Sequence, residues 1–214
     1  MKIYKDLPQH LEDGTANADW LALRAGLFTG SDFNQYMPII KKGELSDTAE
    51  SNLCEKVLES LGETFEGATT DAMARGTALE PIAREEYMAE TFNAVEEVAF
   101  VDWEKLRAGC SPDGVMYADD GSIAKIIEIK CPNIKNYLKM VSGKIPPLYW
   151  TQIQFNLLIT GAKSCDFVVF HPEMCLYIKE IDADESFQTD IANALEKLNA
   201  RYDEILEQIR RWKK

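Results

Sequence analysis

Two short segments constrain this chain more than any other part of it: Ser111-Pro112-Asp113-Gly114 and, fifteen residues on from the aspartate, Ile127-Glu128-Ile129-Lys130-Cys131. Side chains alternate along a strand, so over residues 124–130 Glu128 and Lys130 share one face while Ile127 and Ile129 share the other. With residues 108–117 as partner strand and Ala118-Asp119-Asp120-Gly121-Ser122 as turn, the hairpin closes and brings Asp113 to that pair. Two carboxylates and an ammonium at one sheet edge suit a hard divalent cation, because Mg2+ prefers octahedral oxygen ligands. A lysine beside such an ion can hold or help deprotonate a water that attacks phosphorus.

Each half alone has a simpler reading. Pro-Asp-Gly is a common turn, and Glu-x-Lys on a strand is commonly a weak exposed ion pair. In this order they match the Pro-Asp … Asp/Glu-x-Lys pattern of a nuclease superfamily, a short pattern that needs support from the rest of the chain.

Five collinear segments supply that support: Trp20-Leu-Ala-Leu-Arg24-Ala-Gly26-Leu-Phe-Thr29-Gly-Ser31, Arg75-Gly76-Thr-Ala-Leu-Glu80, Cys110-Ser-Pro-Asp-Gly114, Glu128-Ile-Lys-Cys-Pro132 and Trp150-Thr-Gln-Ile-Gln154. In order and spacing the chain resembles the phage lambda exonuclease family, viral-type alkaline exonucleases of the PD-(D/E)xK superfamily. The resemblance implies a restriction-endonuclease-like α/β core with a mixed central sheet flanked by helices. It implies a metal-dependent deoxyribonuclease that hydrolyses phosphodiesters from 5′ to 3′. Such an enzyme degrades one strand of linear duplex DNA from 5′-phosphorylated ends to mononucleotides, leaving 3′ overhangs for recombination. Two Mg2+ ions per site are implied, with Mn2+ able to substitute.

Carried over residue by residue, Asp113, Glu128 and the Ile129 carbonyl match the metal ligands, Glu80 the supporting helix carboxylate, and Lys130 the catalytic lysine. Glu80 also fits a plain charged helix surface, since Arg84, Glu85 and Glu86 follow it. Gly76 should let its helix approach another backbone closely, and Pro81 should kink or restart that helix. Gln154 is favoured over Gln152 as the glutamine near the attacking water; the two cannot share a helix face. Arg24, Ser31 and Ser111 match the receptor of a terminal 5′ phosphate, good chemistry for a dianion. Thr29, Gly30 and Ser31 precede an expected helix over residues 32–36, and Ser31 or Thr29 fits simple capping too. Met73 matches an apolar wedge that separates strands, although methionine at helical spacing is commonly core filler.

Charge argues the other way. A net charge of −13 is unusual for a protein that grips DNA, where phosphate neutralisation supplies much of the affinity. Acids are needed to hold the metal, and others crowd residues 44–66 and 182–207, whereas Lys41, Lys42, Arg75, Lys135, Lys139 and Lys144 lie near the matched motifs. The family works as a ring trimer around duplex DNA ends and with a single-strand annealing recombinase, so basic residues would line a channel and acidic ones face outward. The basic end Arg210-Arg211-Trp212-Lys213-Lys214 fits a DNA or subunit contact and a frayed helix end alike.

At 214 residues the chain is expected to form a single nuclease domain over 1–214. Five cysteines without a CxxC pair argue for reduced thiols, against zinc and against the cysteine set of iron–sulfur nucleases. His10 and His171 lack motif partners, which disfavours a histidine-based nuclease. No signal peptide or membrane-spanning run is visible, so a cytoplasmic location is expected, and the resemblance implies a bacterial host with the gene carried by phage or prophage. A structure-specific endonuclease of the same fold and a non-catalytic DNA-end clamp are the alternatives. Periodicity predicts helices over 48–61, 72–91, 133–141, 147–160 and 184–212. It also predicts a strand over 94–103 and a hairpin over 164–171 and 175–181, turned at Pro172-Glu173.

Overall fold

The hairpin around Asp113 exists, but its outer strand is broken just where the aspartate sits. In the computed structural model, residues 1–11, 15–65 and 70–212 are described. Glu66 of the acidic run, Lys213-Lys214 of the basic end and the side chain of Lys41 lie outside that description.

The strands are β1 (Lys2–Tyr4), β2 (Phe28–Thr29), β3 (Phe100–Trp103), β4 (Ala108–Cys110), β5 (Gly114–Tyr117), β6 (Ile123–Lys130), β7 (Ser164–Val169) and β8 (Tyr177–Asp182). The helices are α1 (Ala18–Arg24), α2 (Pro38–Lys42), α3 (Asp47–Glu59), α4 (Asp71–Thr91), α5 (Ile134–Ser142), α6 (Pro147–Thr160) and α7 (Glu185–Trp212). Residues 32–36, expected as a helix, contain a single 3-10 turn over Phe33–Tyr36.

Two mixed sheets replace the one central sheet expected. The first has the order β1-β3-β4-β2, with β2 and β4 parallel; the second has the order β5-β6-β7-β8, with β6 and β7 parallel. The expected strand over 108–117 is divided between them, because β4 pairs with β3 while β5 pairs with β6. The expected strand over 94–103 is likewise divided into β3 and a separate Glu96–Val115 bridge. Pro112 lacks an amide donor, and Ser111, Pro112 and Asp113 carry the chain from one sheet to the other. Gly114 matters here for space rather than for a turn: a methyl group on it would collide with the side chains of Val95 and Ile127.

Local signals explain most helix ends. Ser46, Thr70 and Asn133 accept backbone amides at the starts of α3, α4 and α5, and Gly161 closes α6 in the left-handed region at φ +71°. Helix α4 continues through Pro81 and does not restart there. A methyl group on Gly76 would meet no atom of another element among the described residues, so this glycine does not serve the close backbone approach expected of it.

Two apolar clusters seat the layers. Ile127, Ile129, Val168 and Phe170 pack against Ala83 and Tyr87 of α4, whereas Ile126, Cys165 and Phe167 belong to the larger core with α6 and α7. Helix α6 is apolar nearly all round and is correspondingly buried from Thr151 to Thr160 with few exceptions. In α7 the buried stripe Ile191, Leu195, Leu198, Tyr202 and Ile205 follows the helical period, each side chain contributing about 1.5–3 kcal/mol of burial. No helix among the described residues is long and apolar enough to cross a membrane.

Candidate active site

Strand alternation and two packed helices build the site. The even-numbered face of β6 looks toward α6, so Glu128 and Lys130 emerge there side by side, as expected. Lys130 bonds Glu128 and lies 5.1 Å from the Tyr149 ring centroid, while Asn156 Nδ2 donates to Glu128 Oε2 at 3.1 Å. Asp113 arrives from the crossover between sheets. Its carboxylate accepts the Ile129 amide at 2.6 Å, and its own amide donates to the Ile127 carbonyl at 3.2 Å. Glu80 comes from α4 and pairs with Arg84 one turn later at 2.7 Å. The Arg84 guanidinium also donates to the Asp113 carbonyl at 2.7 Å and reaches Glu97 at 2.6 Å, tying α4 to the crossover. Glu80, Asp113, Glu128, Ile129 and Lys130 line one cleft of about 750 Å3 with Met73, Arg75, Cys131, Asn136, Tyr149 and Gln152.

The electrostatics are those of acids crowded out of water. Burial, with Asp113 adding repulsion, pushes Glu80 up to about 8. Burial and Asp113 also push Glu128 up to about 7, against the pull of Lys130. Asp113 is raised by burial, opposed by Lys130 and the Ile129 amide. Burial works against the charge on Lys130, but Glu128 and Asp113 outweigh it, so the lysine is held firmly as ammonium.

The donor chemistry fits a hard divalent cation. Three carboxylates and the Ile129 carbonyl offer oxygen only, and a divalent charge would favour the ionised carboxylates that burial and, for Glu80 and Glu128, the neighbouring acids disfavour. Cys131 also lines the cleft but burial pushes its thiol up to about 11. Each acid is turned toward a protein partner, and among the described residues no three acidic, histidine or cysteine side chains form a ready-made cage.

A second polar group lies alongside. Strands β2 and β4 run parallel, with Thr29 opposite Gly109, so the loops leading to Ser31 and Ser111 leave that sheet at the same end. Arg24 donates to Thr29 Oγ1 at 3.3 Å, and Thr29 shares a hydrogen bond of 3.2 Å with Ser31. The guanidinium stacks 4.2 Å from the Trp20 ring, and Trp20 and Ser111 both donate to the Ala99 carbonyl. Met73, in the first turn of α4, is 58% exposed at the cleft.

One expected residue sits elsewhere. Gln154 is wholly buried on the far side of α6, where it donates to the Asp182 carbonyl at 2.9 Å and accepts the Asp184 amide at 2.8 Å. Gln152 is the glutamine at the cleft. The two point apart because they are two positions apart on a helix, and the cleft face is set by Tyr149, Gln152 and Asn156. Arg75 was expected only as a basic residue toward DNA, and Arg84, Tyr149 and Asn156 were not singled out from sequence for the cleft. For Asn156 the available signal was a polar residue inside an apolar helix at helical spacing from Gln152.

Fold and site together define a nuclease of the restriction-endonuclease-like class. Within that class, the chain belongs to the YqaJ-like viral recombinase domain family, whose pattern it matches over residues 19–163, in keeping with its lambda-exonuclease-like motifs. The crystal structure of an alkaline exonuclease, LHK-Exo, from Laribacter hongkongensis is similar at 29% identity and a TM-score of 0.79, covering 91% of this chain and 97% of that one. LHK-Exo in complex with dAMP is similar at 28% identity and a TM-score of 0.77, with the same coverage of 91% and 97%. A phage related exonuclease from Haemophilus somnus 129PT shares the fold at 16% identity and a TM-score of 0.64, covering 86% of this chain and 96% of that chain. No curated protein sequence matches this chain.

Proposed function

We propose that this nuclease is a Mg2+-dependent exonuclease that degrades one strand of linear duplex DNA from 5′ to 3′. It starts at 5′-phosphorylated ends, releases mononucleotides and leaves 3′ overhangs for recombination. The observation that carries the reading is the convergence of Glu80, Asp113, Glu128 and Lys130 in one cleft, beside the Arg24, Thr29 and Ser31 group. The dAMP held by LHK-Exo supports a mononucleotide product.

Asp113, Glu128 and the Ile129 carbonyl are the metal-binding groups, with Glu80 supporting them. Bound there, Mg2+ supplies Lewis acid charge to the phosphoryl oxygens and makes water acidic enough to attack at neutral pH. Lys130, held as ammonium, orients the attacking water and offsets negative charge on the phosphoryl group. Gln152, rather than Gln154, is the cleft glutamine available to that water. Arg24 and the hydroxyls of Ser31 and Ser111 receive the terminal phosphate, and Met73 wedges the end base pair apart. Every cut leaves a fresh 5′ phosphate for the same pocket, which favours processive digestion. A ring trimer threaded by duplex, with Arg75, Lys135, Lys139 and Lys144 toward DNA, reconciles this activity with a net charge of −13. A single-strand annealing recombinase would take the overhang, in the cytoplasm of a bacterial host.

The test is a linear duplex with 5′ phosphate at one end and 5′ hydroxyl at the other, incubated with Mg2+ or EDTA beside a closed circle. Mg2+-dependent mononucleotide release from the phosphorylated end, with the circle intact, is expected. Cutting of the circle would replace this reading with an endonuclease, and end binding without digestion would replace it with a clamp.

A further inference from the structure

We propose that Asn156 is a positioning residue that couples the end-phosphate pocket to the metal-binding carboxylate Glu128, a step that rests on the function proposed above. Asn156 is 1% exposed and touches both sites at once. Its Nδ2 donates to Glu128 Oε2 at 3.1 Å. Its Oδ1 lies against Gly30 so closely that a methyl group on that glycine would collide with it. Gly30 is flanked by Thr29 and Ser31, the two hydroxyls that meet beside Arg24. The same loop rests on α6 through Gly30 against the Gln152 carbonyl, Asn34 bonded to Thr151 at 3.1 Å, and Phe33 packed at a tilt on Phe155, the ring centroids 4.8 Å apart. One amide therefore bridges the phosphate-side loop and the metal-side strand.

The buried Glu128 carboxylate accounts for the Nδ2 end of that amide but not for the other end. Asn156 Oδ1 is buried without a hydrogen-bond partner among the described residues, an unfavourable state. What asparagine provides is a donor to Glu128 on a group whose other end senses the position of Gly30. A phosphate drawn in by Arg24 and Ser31 fixes the loop, the loop fixes Asn156, and Asn156 fixes the carboxylate. Phosphate binding is in this way converted into faster chemistry and not only tighter binding.

The experiment compares kcat and KM on duplexes ending in 5′ phosphate or 5′ hydroxyl for the wild type, Asn156→Ala and Gly30→Ala, with thermal unfolding of each to confirm folding. In the wild type the phosphate should lower KM and raise kcat. In Asn156→Ala its effect on KM should remain, while its advantage in kcat falls roughly ten- to hundredfold, the scale of one hydrogen bond to a charged group. Gly30→Ala, which pushes the amide away from the loop side, should give the same split. The coupling is overturned if Asn156→Ala slows both substrates by one factor and the phosphate advantage in kcat survives. A wild type indifferent to the end phosphate would instead remove the phosphate pocket itself, and the coupling with it.

Discussion

Glu128 is nearly inaccessible to solvent yet carries a carboxylate, and Lys130 and Asn156 compensate its burial. A buried charge is tolerated when it is paired and hydrogen-bonded, and removal of one partner exposes that dependence. Lys130→Ala should therefore lower turnover on the order of 10²–10³-fold while DNA binding is largely kept, as measured by single-turnover digestion and a filter-binding assay. Normal digestion by that variant would remove the lysine from the mechanism. The two glutamines of α6 should separate cleanly. Gln152→Ala should slow turnover with little change in melting temperature. Gln154→Ala should instead destabilise the fold by about 1–3 kcal/mol, because the Asp182 carbonyl and Asp184 amide lose their partner, with turnover per folded molecule unchanged. The reverse pattern in paired denaturation and rate measurements would return Gln154 to the cleft.

Among the elements, α4 is the one whose seating decides the site, since it carries Met73, Arg75, Glu80 and Arg84. It is held at its far end by Tyr87, whose hydroxyl donates to Asp166 of β7 at 2.5 Å, with Lys125 of β6 on the other carboxylate oxygen at 3.0 Å. Tyr87 is two turns from Glu80 and shares its face of the helix, so this anchor fixes the angle at which Glu80 meets the cleft. Tyr87→Phe keeps the ring in the apolar cluster but leaves Asp166 short of a donor. A loss of about 1–3 kcal/mol in chemical denaturation is expected, with a weaker apparent affinity for Mg2+ as Glu80 shifts. Unchanged stability would mean the helix is seated without this anchor, by apolar packing and the Arg84 bonds to the crossover.

For the whole molecule, the acids of the cleft give a pH dependence of definite sign. Glu80 at about 8 and Glu128 at about 7 both stand above the ordinary 4.5. The folded state therefore keeps protons that the unfolded chain has already released, and stability falls as pH rises from roughly 4.5 to 8. In EDTA the melting temperature should drop across that window, each kcal/mol lost corresponding to about 2–4 °C for a chain of this size. Mg2+ competes with those protons, so it should raise the melting temperature more at pH 8 than at pH 5.5. An equal rise at both values, read by differential scanning fluorimetry, would place the cation away from these carboxylates.

What was legible in the sequence is what depends on short-range geometry. Strand alternation puts Glu128 and Lys130 on one face whatever surrounds them, and capping residues with Gly161 mark the helix ends to within a residue or two. Collinear motifs identified the family, and the resemblance nominated Arg24, Ser31, Ser111 and Met73 as residues for the proposed site. What only the tertiary structure decided is which surface each element turns inward. Periodicity cannot say which face of an all-apolar helix meets a cleft, so the sequence favoured Gln154 where the packing of α6 puts Gln152 at the cleft. Nor can it say that residues 108–117 belong to two sheets, because that break follows from long-range pairing with β3 and β6. Helix α4 runs through Pro81 because packing of Ala83 and Tyr87 on the sheet and the ion pairs of Arg84 outweigh the local preference for a break.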